Sequence, residues 1–510
     1  MHRSPFDFSR GMVAVMGGLA AVAAAGLAAD LLWQGRPLSD LARFDVNEAR
    51  HLTNLLSRSS NQILAVVFTT VAIAVPLTAN MYSVKFLELF VRDPVNRGML
   101  TLVLVNSLGV IWAGTGQKQD FVAALALYGS LLLTIACFTL VIPYLYYVFR
   151  FLHPNSLLRR LEAEIAAGLG GTGLRPSRVA ALRTQVAEGI EHVADVAIRS
   201  VERADRSTAI ESVLSLERVA RELWRVKAAL PPAWFDADPG LFLGFSSKAV
   251  DELAASRSWV EMKILSQLRQ VMSAAIPRMH DLVSTISRVT RRLGVEKPVR
   301  ADAALREMVI GYFNTFLRLA LNRRDVRALF IVFDQYRTFA EALCAEQPEE
   351  LDDIADHFVY YGSVAREQQM SFVVELVAHD LGALVEQAWA AGAPNREVLL
   401  DHLLRYDAAA PAPLSGVKKA QALAASFFLL RGETDAAQRV ARSFAGLPDD
   451  LVADIRDDLL GVTREKYWEV NERRMNIDYV PAARREKLRE FFTSLAPTRG
   501  AAPRRSADTR

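Results

Sequence analysis

The longest apolar stretch, residues 62–92, reads QILAVVFTTVAIAVPLTANMYSVKFLELFVR. Between residues 63 and 77 its only polar side chains are Thr69 and Thr70, and about 20 such residues suffice to cross a bilayer core of roughly 30 Å. The pattern predicts a membrane helix over residues 62–82 that runs on into water as far as Arg92. Pro76 removes one backbone hydrogen bond within it, so a kink is expected. Asp93-Pro94 then reads as an N-cap and first-turn proline that open the next helix. Further apolar runs over residues 11–33, 98–115 and 121–149 bring the expected count to four spans. The first is also compatible with a cleaved signal peptide, because a basic leader precedes it and it ends in GLAAD. Residues 34–61 read as a loop holding a surface helix.

Past Leu161 the pattern changes to that of amphipathic helices, and strand-like alternation never persists. A glycine-rich linker, residues 168–173, follows a short juxtamembrane helix. Val179, Leu182, Val186, Ile190, Val193 and Ala197 form one apolar stripe. Trp259, Met262, Leu265, Met272, Ile276 and Met279 form another, interrupted at Pro277. Helix hairpins are expected across NRRD (helices 305–321 and 326–343) and across RGET (helices 417–430 and 435–444), without a fixed repeat period. A proline-rich break covers residues 411–416. The expected fold class is all-α: a four-helix transmembrane domain, residues 1–153, and a large helical region with hairpin character. That region divides into residues 154–345 and 346–496, before a disordered tail at 497–510.

Composition agrees with a membrane part joined to a soluble part, since 51% of the 510 residues are hydrophobic. The net charge is +3, and the first 150 residues, with 11 basic and 8 acidic side chains, carry all of it. The electroneutral remainder lacks the basic footprint of a nucleic-acid-binding protein. Two cysteines, Cys137 and Cys344, exclude a disulfide framework and point to a reducing compartment. Eight basic residues near the span ends on one side, against five on the other, favour cytoplasmic N- and C-termini.

Candidate functional positions are few. Thr70, Ala74 and Thr78 recur four residues apart, so Thr69, Thr70, Pro76, Thr78 and Asn80 offer either a close-packing face or the lining of a polar pathway. Arg92, Arg97, Tyr144, Tyr147 and Arg150 read as basic and aromatic residues at headgroup level. There is no glycine-rich phosphate loop, CxxC, HExxH or G-x-S-x-G motif, so no enzyme activity, cofactor or metal is expected. Glu191, His192 and Asp195, and separately His379 with Asp380, are short acid-plus-histidine groupings that read as solvated or packing residues rather than ligands. Residues 466–490 interleave Tyr467, Trp468 and Tyr479 with Arg473, Arg474, Arg484, Arg485 and Lys487, and read as a solvated face with internal ion pairs.

Two stretches resemble a known family. LAVVFTTVAIAVPLTANMYSVKF with LFVRDPV, and HVADVAIRSVERADRSTAIESVLSLERV, are similar to bacterial predicted membrane proteins grouped as domain of unknown function 2254. The resemblance extends over roughly residues 10–345. Many members carry an Asn-Asp-Pro turn before a Thr-Ala pair, where Asp205-Arg206-Ser207 stand here. The resemblance implies a membrane location and a shared architecture, and brings no established chemistry.

The expected function is therefore that of a multi-pass bacterial inner-membrane protein acting as a helical scaffold or regulator. An oligomeric ion channel or transporter with a cytoplasmic helical vestibule is the alternative. The expected partners are the lipid bilayer, further copies of the chain and a cytoplasmic protein, and not nucleic acid.

Overall fold

The computed structural model describes residues 45–499 apart from 84, 118–121, 171–175, 243, 409, 467–472 and 474. Among them every regular element is a helix and none is a strand, as the periodicity predicts. The chain forms two compact units, Met1–Ala163 and Glu164–Arg510. The expected first span, residues 11–33, lies outside the described residues.

The first unit contains α1 (Val46–Met81), α2 (Lys85–Arg92), α3 (Pro94–Thr115), α4 (Ala124–Phe151) and the start of α5 (Pro154–Leu169). Helices α1, α3 and α4 are long and apolar enough to cross a membrane. Two expectations need correction. The surface helix expected within residues 34–61 is not separate from the span, because α1 runs unbroken for 36 residues from Val46. No glycine or proline interrupts residues 46–75, and Glu48 accepts a hydrogen bond from the Asp45 N–H at 3.2 Å to start the helix. Nor does the second span continue to Arg92 as one helix. It stops at Met81, and the Ser83 hydroxyl accepts from the Lys85 N–H at 3.3 Å as α2 begins. The break lets Phe86 and Phe90, one turn apart, set their rings edge-on to Phe151, each with centroids 5.3 Å away.

Helices α1, α3 and α4 contact one another pairwise and form a three-helix bundle, with α3 antiparallel to the other two. Their buried positions alternate in steps of four and three. On α1 these are Ala49, Thr53, Leu56, Ser60, Ile63 and Val67; on α3, Asn96, Met99, Val103, Asn106, Val110 and Ala113. On α4 the series begins Leu127, Ser130, Thr134, Cys137. An average step of 3.5 keeps one seam facing the partners along a left-handed supercoil. Leu104, Leu108, Ile111 and Trp112 of α3, and Leu125, Leu132 and Phe149 of α4, face outward.

The second unit begins within α5 and continues through α6 (Pro176–Glu202), α7 (Arg206–Val226), α8 (Ser247–Ala255), α9 (Trp259–Ala275), α10 (His280–Gly294) and the short α11 (Lys297–Arg300). It goes on through α12 (Ala303–Asn322), α13 (Val326–Leu343), α14 (Glu349–Glu367), α15 (Ser371–Ala391) and α16 (Arg396–Arg405). It ends with α17 (Ser415–Arg431), α18 (Thr434–Arg442), α19 (Asp449–Gly461) and α20 (Ala482–Arg499). Both expected hairpins form, α12–α13 across residues 322–325 and α17–α18 across 431–434. Helix α20 reaches Arg499, and residues 500–510 of the expected tail lie outside the described residues.

One local device closes helix after helix. A residue with positive φ follows the helix, and the next N–H returns to the carbonyl five residues back. It occurs at Ala204, Arg257, Arg324, Gln369, Gly392 and Gly432. The returning bonds include Asp205 N–H to Ser200 O at 2.9 Å, Asp325 N–H to Ala320 O at 3.1 Å and Glu433 N–H to Phe428 O at 2.9 Å. Asp205 and Asp325 then cap α7 and α13, accepting from Thr208 and Ala328 N–H groups.

A testable consequence concerns Gly432, whose φ is 77°. Gly432→Ala is expected to destabilise the protein by at least about 1 kcal/mol, whereas Glu433→Ala stays within about 0.5 kcal/mol, both read by thermal unfolding.

Candidate functional site

The bundle of the first unit buries a polar layer. Asn106, near the middle of the 22-residue α3, donates from Nδ2 to Ser60 Oγ of α1 at 3.1 Å. Thr134 of α4 donates to Asn106 Oδ1 at 3.0 Å, and the hydroxyls of Ser60 and Ser107 lie 3.1 Å apart. Asn106 is fully buried. No titratable group belongs to this layer, so it locks the rotation and register of three helices and supplies no acid, base or charge.

A second cluster sits where α3 begins. Asp93 caps α3, its Oδ1 accepting from the Val95 and Asn96 N–H groups at 3.0 and 3.2 Å. Its Oδ2 accepts from the Tyr147 hydroxyl at 2.8 Å and from Arg160 Nη1 at 3.0 Å. Arg160 also lies 3.7 Å from the centroid of the Phe151 ring. One buried carboxylate thus joins the start of α3, the end of α4 and the start of α5. The sequence shows Asp93 as a cap, but its reach to Tyr147 and Arg160 depends on the fold.

The residues read from the sequence are dispersed. Thr69, Pro76 and Asn80 are exposed on α1, Thr70 is half-buried, and Thr78 is buried with its hydroxyl donating to Ala74 O at 2.9 Å. Arg92, Arg97 and Arg150 are exposed; Arg92 pairs with Glu88 at 2.8 Å and Arg97 donates to Arg92 O at 3.1 Å. Tyr144 is buried in the seam and Tyr147 holds Asp93. Ser60, Ser107 and Thr134 have no special sequence signal, apart from falling at the buried steps of the pattern or next to one.

In the second unit, charged side chains hold the C-terminal segment against α15. Arg473 forms a two-pronged pair with Asp380, at 2.6 and 2.8 Å, with Arg337 Nε a further 3.2 Å from the same carboxylate. Arg473 also lies 4.8 Å from the Phe330 ring centroid. Arg484 pairs with Glu386 and donates to Ser426 Oγ at 2.8 Å. Burial pushes the Glu386 carboxyl above its ordinary value although Arg484 pulls the other way. Arg485 donates to the Val462 and Val480 carbonyls. The solvated face expected over residues 466–490 is thereby corrected for Arg473, whose side chain is buried, and for half-buried Arg484, which both act as clamps; Tyr467, Trp468 and Arg474 lie outside the described residues.

The acid-plus-histidine groupings also resolve. Glu191 pairs with Lys263. Asp380 and His379 are adjacent on α15 and point to different partners: Asp380 to the arginines, His379 to Asp478 with Nε2 at 3.2 Å from Oδ1. Among the described residues Glu375, His379 and Asp478 bring ligand atoms within 4.8 Å of one another.

Three substitutions and one surface control test these assignments by thermal unfolding in detergent. Asn106→Leu is expected to cost about 1–2 kcal/mol through lost interhelical bonds. Tyr147→Phe should cost about 1 kcal/mol. Arg473→Ala, which leaves buried Asp380 with Arg337 alone, should cost about 1–3 kcal/mol and speed proteolysis between α19 and α20, whereas exposed Arg92→Ala stays within about 0.5 kcal/mol.

No curated protein matches the chain. A solved structure titled "Circular tandem repeat protein with novel repeat topology and enhanced subunit contact surfaces" is 14% identical over 89% of this chain and 97% of that chain. Its TM-score of 0.24 carries no argument about this fold. The family model described as "Predicted membrane protein (DUF2254)" matches residues 3–188, which include α1, α3, α4 and the Asp93 cluster. Residues 3–188 are thus similar to this family of predicted membrane proteins, as the first of the two stretches quoted from the sequence leads one to expect.

Proposed function

We propose that the chain is a multi-pass bacterial inner-membrane protein whose first unit anchors a helical scaffold or regulatory unit in the cytoplasm. The observation that carries this reading is the closed seam of the three apolar helices. Ser60, Asn106, Ser107 and Thr134 bond to one another within the bundle, while Thr69 and Asn80 lie on the outside. Such packing suits an anchor and, among the described residues, leaves no polar path along the three-helix seam. The bias of basic residues supports cytoplasmic termini, and the buried free Cys344 fits a reducing compartment for the second unit. Among the described residues no assembled acid, base and nucleophile set supports catalysis, and we read the second unit as a surface for a cytoplasmic protein partner.

A second reading, the oligomeric channel or transporter, has its own supporting observation. Asn54, Arg58, Asn61 and Gln62 lie exposed on α1, around Ser60, at the level where α3 turns apolar Leu104 and Leu108 outward. Polar side chains at that depth are costly against lipid and suit contact with further copies of the chain or with water.

In the anchor reading, full-length protein stays in the membrane fraction after alkaline extraction, and a reporter fused at the C-terminus is active in the cytoplasm. Chemical crosslinking in cells then yields a stoichiometric soluble partner, and planar bilayers remain silent. A conductance reduced by Asn61→Leu would replace this reading with the channel; an external C-terminal reporter would defeat both.

A further inference from the structure

We propose that Glu375, His379 and Asp478 bind a divalent transition-metal cation, zinc being favoured, which fastens the segment between α19 and α20 onto α15. This goes beyond the anchoring role and concerns the second unit alone. Glu375 and His379 stand four residues apart on α15 and so share one face, the spacing by which a helix presents two ligands to one ion. Asp478 supplies the third from the distant segment.

The geometry of the histidine is the strongest indication. Its side chain is 7% exposed, and Nε2 lies 3.2 Å from Asp478 Oδ1. The pair stands at ion-pair distance, yet neither atom has a well-aligned N–H···O hydrogen bond. Two ligands each about 2.0–2.1 Å from a tetrahedral zinc stand about 3.3 Å apart, which matches this separation. With the imidazole neutral and its proton on Nδ1, the Nε2 lone pair and an Asp478 Oδ1 lone pair would converge on one ion.

The surroundings fit the same ion. Lys419 lies 2.9 Å from Asp458 and 3.7 Å from Asp478 Oδ2, engaging the oxygen opposite the proposed ligand atom and orienting the carboxylate. Glu375, Asp458 and Asp478 outweigh Lys419 and the cleft-lining Arg366 when His379 is neutral, so the site carries a net negative charge that favours a cation. Gly416 clears room for Glu375: a Cβ there would stand 2.6 Å from Glu375 Cγ. Glu375 also lines a cleft of about 390 Å³ with Arg366, Gln369 and Ser371, which gives an ion and a water ligand a way in. One imidazole with two carboxylates favours zinc over magnesium or calcium, which prefer all-oxygen shells.

The test uses full-length protein without a histidine tag, stripped with chelator in detergent and titrated with Co²⁺ and then Zn²⁺. One equivalent of Co²⁺ per chain, visible absorption of a tetrahedral or five-coordinate site, displacement by Zn²⁺ and a Zn²⁺-dependent rise in unfolding temperature are expected. Glu375→Gln and Asp478→Asn should each weaken binding at least about tenfold, and exposed Asp195→Asn should not. Gly416→Ala, which leaves all three ligands in place and displaces Glu375, should weaken it too, so the proposal stands even where a ligand variant fails to fold. Absence of stoichiometric binding at micromolar Zn²⁺, or binding unchanged in Glu375→Gln, overturns it and leaves His379 and Asp478 as an ion pair.

Discussion

The first unit depends on the requirement that polar groups within an apolar bundle find partners inside it. Asn106 carries both a donor and an acceptor, and the bundle satisfies them from different helices, Ser60 of α1 and Thr134 of α4. Rotating or sliding any one of the three helices would strand a buried amide or hydroxyl. Apolar contacts alone would not fix that register, because lipid tails are as apolar as leucine and many rotations bury similar area. The layer therefore specifies the bundle, and the steps of three and four residues along each helix propagate the register from it.

The end of the bundle obeys the same rule with charge. Asp93 divides its two oxygens between the free N–H groups of α3 and the Tyr147–Arg160 pair. Breaking α1 at Met81 makes this arrangement accessible, since it turns Phe86 and Phe90 onto Phe151 and brings α2 to the start of α3. In the second unit, Asp380 plays a comparable part as a buried carboxylate shared by Arg337 and Arg473. Both sites tie together segments far apart in sequence. Neither has the convergent, solvent-reachable layout of a catalytic centre.

Much of the secondary structure was legible in the chain. Three of the four apolar runs correspond to α1, α3 and α4; Asp93-Pro94 opens α3; and NRRD and RGET mark two helix turns. These features are local: apolar length, an acceptor beside free N–H groups, and a residue able to take positive φ. The candidate residues fared differently, because Thr69, Asn80 and the belt arginines were chosen by composition within a window. Which side of α1 faces inward is set by α3 and α4, and Thr69 falls on the wrong side of that choice while Thr78 falls on the right one.

The sequence by itself determined the helical class, the placement of the apolar segments and most helix ends, since each follows from interactions within a few residues. Only the tertiary structure decided that Ser60, Asn106 and Thr134 form one layer, that Arg473 is buried against Asp380, and that His379 turns away from its neighbour toward Asp478. Those pairings join residues 28 to 99 positions apart, and no local propensity encodes which distant side chain will complete a buried donor or charge.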